Sequence, residues 1–140
     1  GLGDVYKRQG HRFLGYLDSQ REQLLRRNGS KHTNRPELVE KYGYDTKFAY
    51  HALRLGLQGI ELMRTGSIRL PMSADHCEWL LDIRRGGATF DEVSRGLTGL
   101  RFGLECEIAR TTLPDEPDWD AINRLCHRLY ISAWRERGVL

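Results

Sequence analysis

The segment from Asp45 to Arg64 restricts the fold of this chain more than any other stretch. If it is helical, its polar side chains fall in one stripe only about 80° wide. We call this stripe the polar seam; its residues are Lys47, His51, Arg54, Gln58 and Glu61. Almost every other position is apolar or small, whereas an ordinary surface helix has a broad polar face. The pattern predicts a central helix over 45–64 that is packed on most sides, with the seam facing a groove or a partner.

The N-terminal half of the polar seam carries positive charge. Lys47 and Arg54 have no acidic residue three or four positions away, where helical neighbours meet. Together with His51 they lie near the helix N-terminus, where the backbone dipole is also positive. This arrangement favours an anion such as phosphate. The alternative is that these side chains are solvated or pair with acids elsewhere in the fold.

Length, charge and cysteine content narrow the class of protein. A chain of 140 residues can bury one core, and no apolar run approaches a transmembrane length, so we expect one domain and no membrane partner. The net charge of +3 is too small to indicate nucleic-acid binding by itself. The 3 cysteines are odd in number and far apart, which argues against a disulfide framework and predicts a cytoplasmic location.

The first nine residues, GLGDVYKRQ, have no clear periodicity. They are typical of translated adapter sequence at the ends of metagenomic assemblies, and we expect residues 1–9 to be non-native. The native part would then be a helical domain over 10–140, from a gene truncated on its N-terminal side.

Hydrophobic periodicity predicts an all-α fold of about five main helices. Pro36 opens a short helix before the central one, and Thr89 forms a capping-box pattern with Glu92. The predicted helices are 11–27, 36–42, 45–64, 74–85, 89–111 and 118–137. The residues expected to anchor the helix over 74–85 in the core are Cys77, Leu80, Leu81 and Ile83. A short extended segment is expected near 67–71, where Pro71 argues against a central strand.

No metal site is predicted. The adjacent pairs His76-Cys77 and Cys126-His127 would point their side chains about 100° apart on a helix. Neither a Cys-x-x-Cys nor a His-x-x-x-His spacing occurs, so zinc binding is not indicated.

Residues 34–72 resemble the C-terminal part of predicted nucleotidyltransferases related to DNA polymerase β. Their sequence is NRPELVEKYGYDTKFAYHALRLGLQGIELMRTGSIRLPM, and the similarity is densest at KYGYDTKFAYH. The branch occurs in bacteria and phages and includes the polymerase-like protein associated with RNA repair. The resemblance continues weakly to about residue 134. It implies an enzyme that uses Mg²⁺ to transfer a nucleotidyl group from a nucleoside triphosphate to an acceptor, with RNA or another nucleic acid as a candidate.

In that superfamily the metals are held by an N-terminal α/β part, where a Gly-Ser turn precedes Asp-x-Asp carboxylates. Neither Gly29-Ser30 nor Gly66-Ser67 is followed at short range by paired acids. Asp118-Trp119-Asp120 lies at a predicted helix start, where acids are favoured as caps. We therefore expect a C-terminal fragment that is inactive alone, with Mg²⁺ and the triphosphate bound mainly by the missing part.

Five residues of this chain match the family's motif by position: Tyr44, Asp45, Lys47, His51 and Arg54. The resemblance implies that Lys47 and Arg54 bind phosphate and that His51 makes a hydrogen-bonding or charge-tuned contact. Asp45 is equally suited to a structural cap, and Tyr44 to core packing or to stacking on a base.

A second class of function remains open. A basic groove holding Lys47, Arg54 and the weaker candidate Arg84 would also suit a non-catalytic helical module that binds nucleic acid or another protein. A purely structural interaction domain would be indicated if Lys47 and Arg54 were salt-bridged and far from any cleft.

Overall fold

The computed structural model of the chain describes residues 2–27, 35–112 and 120. These residues form an all-α fold without β-strands, which confirms the predicted fold class. Its helices are α1 (Leu2–Arg27), α2 (Pro36–Tyr42), α3 (Thr46–Thr65), α4 (Ala74–Arg84) and α5 (Phe90–Thr112). No helix in the described ranges has the length and apolarity needed to cross a bilayer. The predicted helix over 118–137 lies, apart from residue 120, outside the described residues.

The central helix α3 packs on most sides, as predicted. It contacts each of the other four described helices. Its buried residues are Thr46, Ala49, Ala52, Leu53, Gly56, Leu57, Gly59, Ile60 and Met63. Two of them permit close helix approach, since a Cβ on Gly56 would lie 2.9 Å from Leu100 Cδ1 and one on Gly59 would lie 3.0 Å from Phe13 Cδ1. These glycines let α5 and α1 pack directly against the α3 backbone.

Helix α1 begins at Leu2, nine residues before its predicted start. Its contact with the core includes Gly10, where an added Cβ would lie 2.6 Å from Ile108 Cγ1. Leu17 and Leu24 are the fully buried leucines of this helix, at the helical spacing of two turns. The non-native origin of residues 1–9 stays a prediction, because a helical conformation does not report the source of a sequence.

The segment over 67–71, expected to be extended, is not part of a β-strand. The chain from Gly66 to Ser73 is an irregular loop of bends that contains a cis Leu70–Pro71 peptide. Its backbone donors are bound by side chains of α3, since the Ser67 N–H donates to Thr65 Oγ1 at 3.3 Å and the Arg69 N–H donates to Glu61 Oε1 at 2.9 Å. Side-chain acceptors thus take the place of a neighbouring strand.

Helix α4 is anchored by Trp79, Leu80 and Ile83, which are buried. Leu80 and Ile83 were expected there, whereas Leu81 is 40% exposed and the expectation for it is wrong. Leu81 is displaced by about 160–200° around the helix from Trp79 and Ile83, so it faces away from the core.

Candidate phosphate-binding site

The N-terminus of α3 is fixed by a buried carboxylate. Asp45 is fully buried and caps the helix, its Oδ1 accepting a hydrogen bond from the Phe48 N–H at 3.0 Å. Its Oδ2 accepts one from Arg35 Nη1 at 3.2 Å. The cap was predicted from the sequence, but the arginine that pairs with it was not. Asp45 therefore has a structural role here, with both carboxylate oxygens bonded within the protein.

The C-terminal end of α4 lies directly beside this N-terminus. Thr46 Oγ1 donates a hydrogen bond to the Arg84 carbonyl at 3.0 Å, and the Tyr44 hydroxyl donates one to the Ala88 carbonyl at 2.7 Å. The Tyr44 ring is fully buried and meets Phe90 edge to face at 5.8 Å. Of the two uses suggested for Tyr44, the structure shows core packing, and base stacking would need surface that this ring does not expose.

Four cations lie around His51, and we call Arg35, Lys47, Arg54 and Arg84 the basic cluster. The pKa of His51 lies below its ordinary value of 6.5, first because the imidazole is partly desolvated and then because each of these four charges opposes its protonation. The guanidinium of Arg84 also lies over the Tyr50 ring, 5.6 Å from its centroid. The fold thus gathers positive charge from the start of α2, from α3 and from the end of α4.

The charges contributed by α3 and α4 are not neutralised by described carboxylates. In the ranges 2–27 and 35–112, no acid forms an ion pair with Lys47, Arg54 or Arg84. The side chains of Lys47 and Arg54 are half-buried, which holds them near the surface rather than extended into solvent. The condition set for a purely structural domain, salt-bridged Lys47 and Arg54, is not met in this part of the chain.

The cluster offers cations and hydrogen-bond donors, but it does not offer a metal site. No group of three His, Cys, Asp or Glu side chains comes together among the residues that the structure describes. The described residues therefore suit the phosphate end of a nucleotide and do not suit a Mg²⁺ ion, which prefers carboxylate oxygens.

A cleft of about 380 Å³ opens at the other end of the polar seam. It lies between the C-terminal half of α3, the loop over 66–73 and the start of α4. The lining residues used below are Leu57, Ile60, Glu61, Arg69, Met72 and His76. This cleft was not predicted, because its walls come from three different elements and only Glu61 belongs to the predicted seam.

Comparison with known families identifies the relationship. The family described as RlaP, the RNA repair pathway DNA polymerase beta family, matches residues 4–128. The chain belongs to this family. The match includes all the described helices except the first two residues of α1, and it confirms the resemblance noted at residues 34–72. No curated protein and no solved structure matches the chain.

Two substitutions of Asp45 distinguish the contribution of its helix cap from that of its bond to Arg35. Asp45→Ala should destabilise the fold by about 2–3 kcal/mol, because it removes the helix cap and the carboxylate that the Phe48 N–H and Arg35 bond. Asp45→Asn can still cap the helix, so we expect it to cost about 1 kcal/mol. Urea denaturation monitored by circular dichroism measures both. Equal losses for the two variants would show that the cap contributes nothing.

The pKa of His51 should respond to anions. In the free protein it lies below 6.5, and bound sulfate should raise it by offsetting the positive charges around the ring. By linkage, sulfate should then bind more tightly as the pH falls, since the bound state takes up a proton that the free state lacks. An NMR titration of the His51 ring protons measures the shift, with His11 as an internal control. An unchanged His51 pKa at saturating sulfate would place the anion elsewhere.

Proposed function

We propose that this chain is a helical part of a nucleotidyltransferase and that its basic cluster binds the phosphates of a nucleotide. One observation carries the proposal: Lys47 and Arg54 on α3 and Arg84 on α4 surround His51 without a described carboxylate to neutralise them. Membership of a DNA polymerase beta family supports a nucleotide as the source of the phosphates.

Each member of the cluster has a distinct role in the proposal. Lys47 supplies a point charge, whereas the guanidinium groups of Arg54 and Arg84 can each bind two phosphate oxygens. The lowered pKa of His51 favours its neutral form in the free protein, and a bound anion favours protonation. Arg35 adds to the positive electrostatic potential without binding phosphate directly, since its guanidinium is bonded to Asp45. Such fixed charges stabilise a triphosphate whose charge shifts during nucleotidyl transfer.

The reaction implied by the family needs Mg²⁺ to bridge and neutralise the triphosphate. In this proposal the carboxylate ligands of Mg²⁺ come from outside the described residues. RNA or another nucleic acid is the proposed acceptor, consistent with a family defined by an RNA repair pathway. The proposed location is the cytoplasm, where nucleoside triphosphates are available and the described cysteines, Cys77 and Cys106, would remain reduced.

Titration with ATP tests the proposal. ATP should shift the backbone amide NMR signals of the N-terminal half of α3 and the end of α4, with weak affinity that falls as salt is added. Binding should not require Mg²⁺, because the described residues bind phosphate without a metal site. A folded chain whose α3 signals do not move at low salt would contradict the assignment. Shifts produced by a short single-stranded RNA but not by ATP would favour the non-catalytic binding module instead.

A further inference from the structure

The cleft at the C-terminal end of α3 lies on the same helical hairpin as the basic cluster. Helices α3 and α4 run antiparallel, since Thr46 at the start of α3 bonds Arg84 at the end of α4. Glu61 therefore lies beside the start of α4, where His76 lines the same cleft. The ten residues from His51 to Glu61 correspond to about 15 Å along the helix axis. This is comparable with the separation of base and terminal phosphate in an extended nucleoside triphosphate.

The floor and rim of the cleft have different chemistry. Leu57, Ile60 and Met72 provide the apolar part of the cleft lining. Glu61 provides an acceptor at the edge, held in place because its Oε1 binds the Arg69 N–H at 2.9 Å. Its Oε2 makes no hydrogen bond to a described residue. The volume of about 380 Å³ falls in the lower part of the range for small-molecule sites.

The polar seam changes sign along its length, from Lys47 and Arg54 through Gln58 to Glu61. Glu61 favours an amino donor beside it. Two arginines also line the cleft: the guanidinium of Arg64 bonds the buried Glu107 carboxylate at 3.1 Å, and Arg69 is exposed. One end of the hairpin thus offers cations around His51, and the other offers a carboxylate that can accept from an N–H group of a ring.

We propose that this cleft binds a nucleobase that carries an exocyclic amino group (adenine, cytosine or guanine), with Glu61 accepting from that group. The base packs on Leu57, Ile60 and Met72, and the attached phosphates point along the polar seam toward Lys47 and Arg54. His76 closes the side of the cleft formed by α4. The position of the phosphates depends on the function proposed above, whereas the base site does not.

Nucleosides test the base site without phosphate. Adenosine and cytidine should shift the amide signals of Glu61, Arg69 and His76, and uridine should bind about tenfold more weakly because it has no exocyclic amino group and places a carbonyl there instead. Glu61→Gln keeps an oxygen for the Arg69 N–H and turns an amide donor toward the ligand. The preference for adenosine over uridine should therefore fall about tenfold or invert. Glu78→Gln, an exposed position on α4 outside the cleft, is the matched control and should leave the preference unchanged.

The outcomes separate the two proposals. Nucleosides that shift no cleft signal, or an unchanged preference in Glu61→Gln, would overturn the base site even if ATP still binds the basic cluster. Cleft binding by adenosine without any effect of ATP on Lys47 and Arg54 would leave the base site and overturn the phosphate assignment. Sulfate shifting Arg69 and His76 rather than His51 would overturn the base site, since phosphate would then occupy the cleft. The base could belong to a free nucleotide or to a strand. ATP and a short oligoadenylate distinguish these sources, according to which of them shifts signals both in the cleft and in the basic cluster.

Discussion

Gly86→Ala should destabilise the protein by about 3 kcal/mol. Gly86 ends the α4 turn with φ of 84°, in the left-handed region that costs an alanine about 1–2 kcal/mol. An added Cβ would also lie 2.1 Å from Tyr42 Cδ1 and 2.3 Å from Tyr42 Cε1. The ring would have to move, and such overpacking typically costs about 1–3 kcal/mol.

Gly43→Ala is the matched control for this substitution. Gly43 has nearly the same φ, 87°, but nothing lies within 4 Å of an added Cβ. It should therefore show the backbone cost alone, about 1 kcal/mol. Urea denaturation of both variants gives the difference, and the double variant Tyr42→Ala/Gly86→Ala should recover the steric part. Equal destabilisation by the two alanines would mean that Tyr42 adapts without cost.

The helices and their ends could be predicted because their signals are local. Asp45 caps α3, Thr89 caps α5 by accepting from the Glu92 N–H at 3.1 Å, and Gly43 takes the left-handed conformation after α2. Each signal acts within three or four residues of itself, so one sequence suffices to recognise it. The narrow polar seam likewise predicted a packed central helix, because it left too little polar surface for an exposed one.

The basic cluster and the buried positions of Tyr44 and Trp79 were not predictable in this way, because they depend on how elements distant in the sequence pack together. Arg35 joins the basic cluster because its guanidinium bonds Asp45, and Arg84 joins because Thr46 bonds its carbonyl. Neither contact has a signal in the sequence around it. Tyr44 matched the family's motif, yet only the tertiary structure shows that its hydroxyl bonds Ala88 in the core. Trp79 was missed as an anchor of α4 for the same reason, since the face that is buried is chosen by the neighbouring helices.

Replacing Lys47 and Arg54 together by alanine should weaken ATP binding about 30-fold. A hydrogen bond to a charged group contributes about 1.5–3 kcal/mol, and partial exposure reduces the effect of each side chain. Together the two losses amount to about 2 kcal/mol, which corresponds to the stated factor. Calorimetric or NMR titration measures the affinity, with circular dichroism to confirm that the helices are intact.

Lys7→Ala/Arg12→Ala provides the control, because it removes one lysine and one arginine from exposed positions of α1. The two double variants have the same net charge, so a general loss of attraction for ATP would affect them equally. We expect the control to stay within about twofold of the original chain, since screening weakens charges that lie far from the ligand. Equal weakening in both variants would mean that ATP responds to overall charge and that the basic cluster is not its site. The variant Lys47→Arg/Arg54→Lys keeps both charges. If it retains affinity and only the alanine pair loses it, ATP binding depends on the two charges that the polar seam places beside His51.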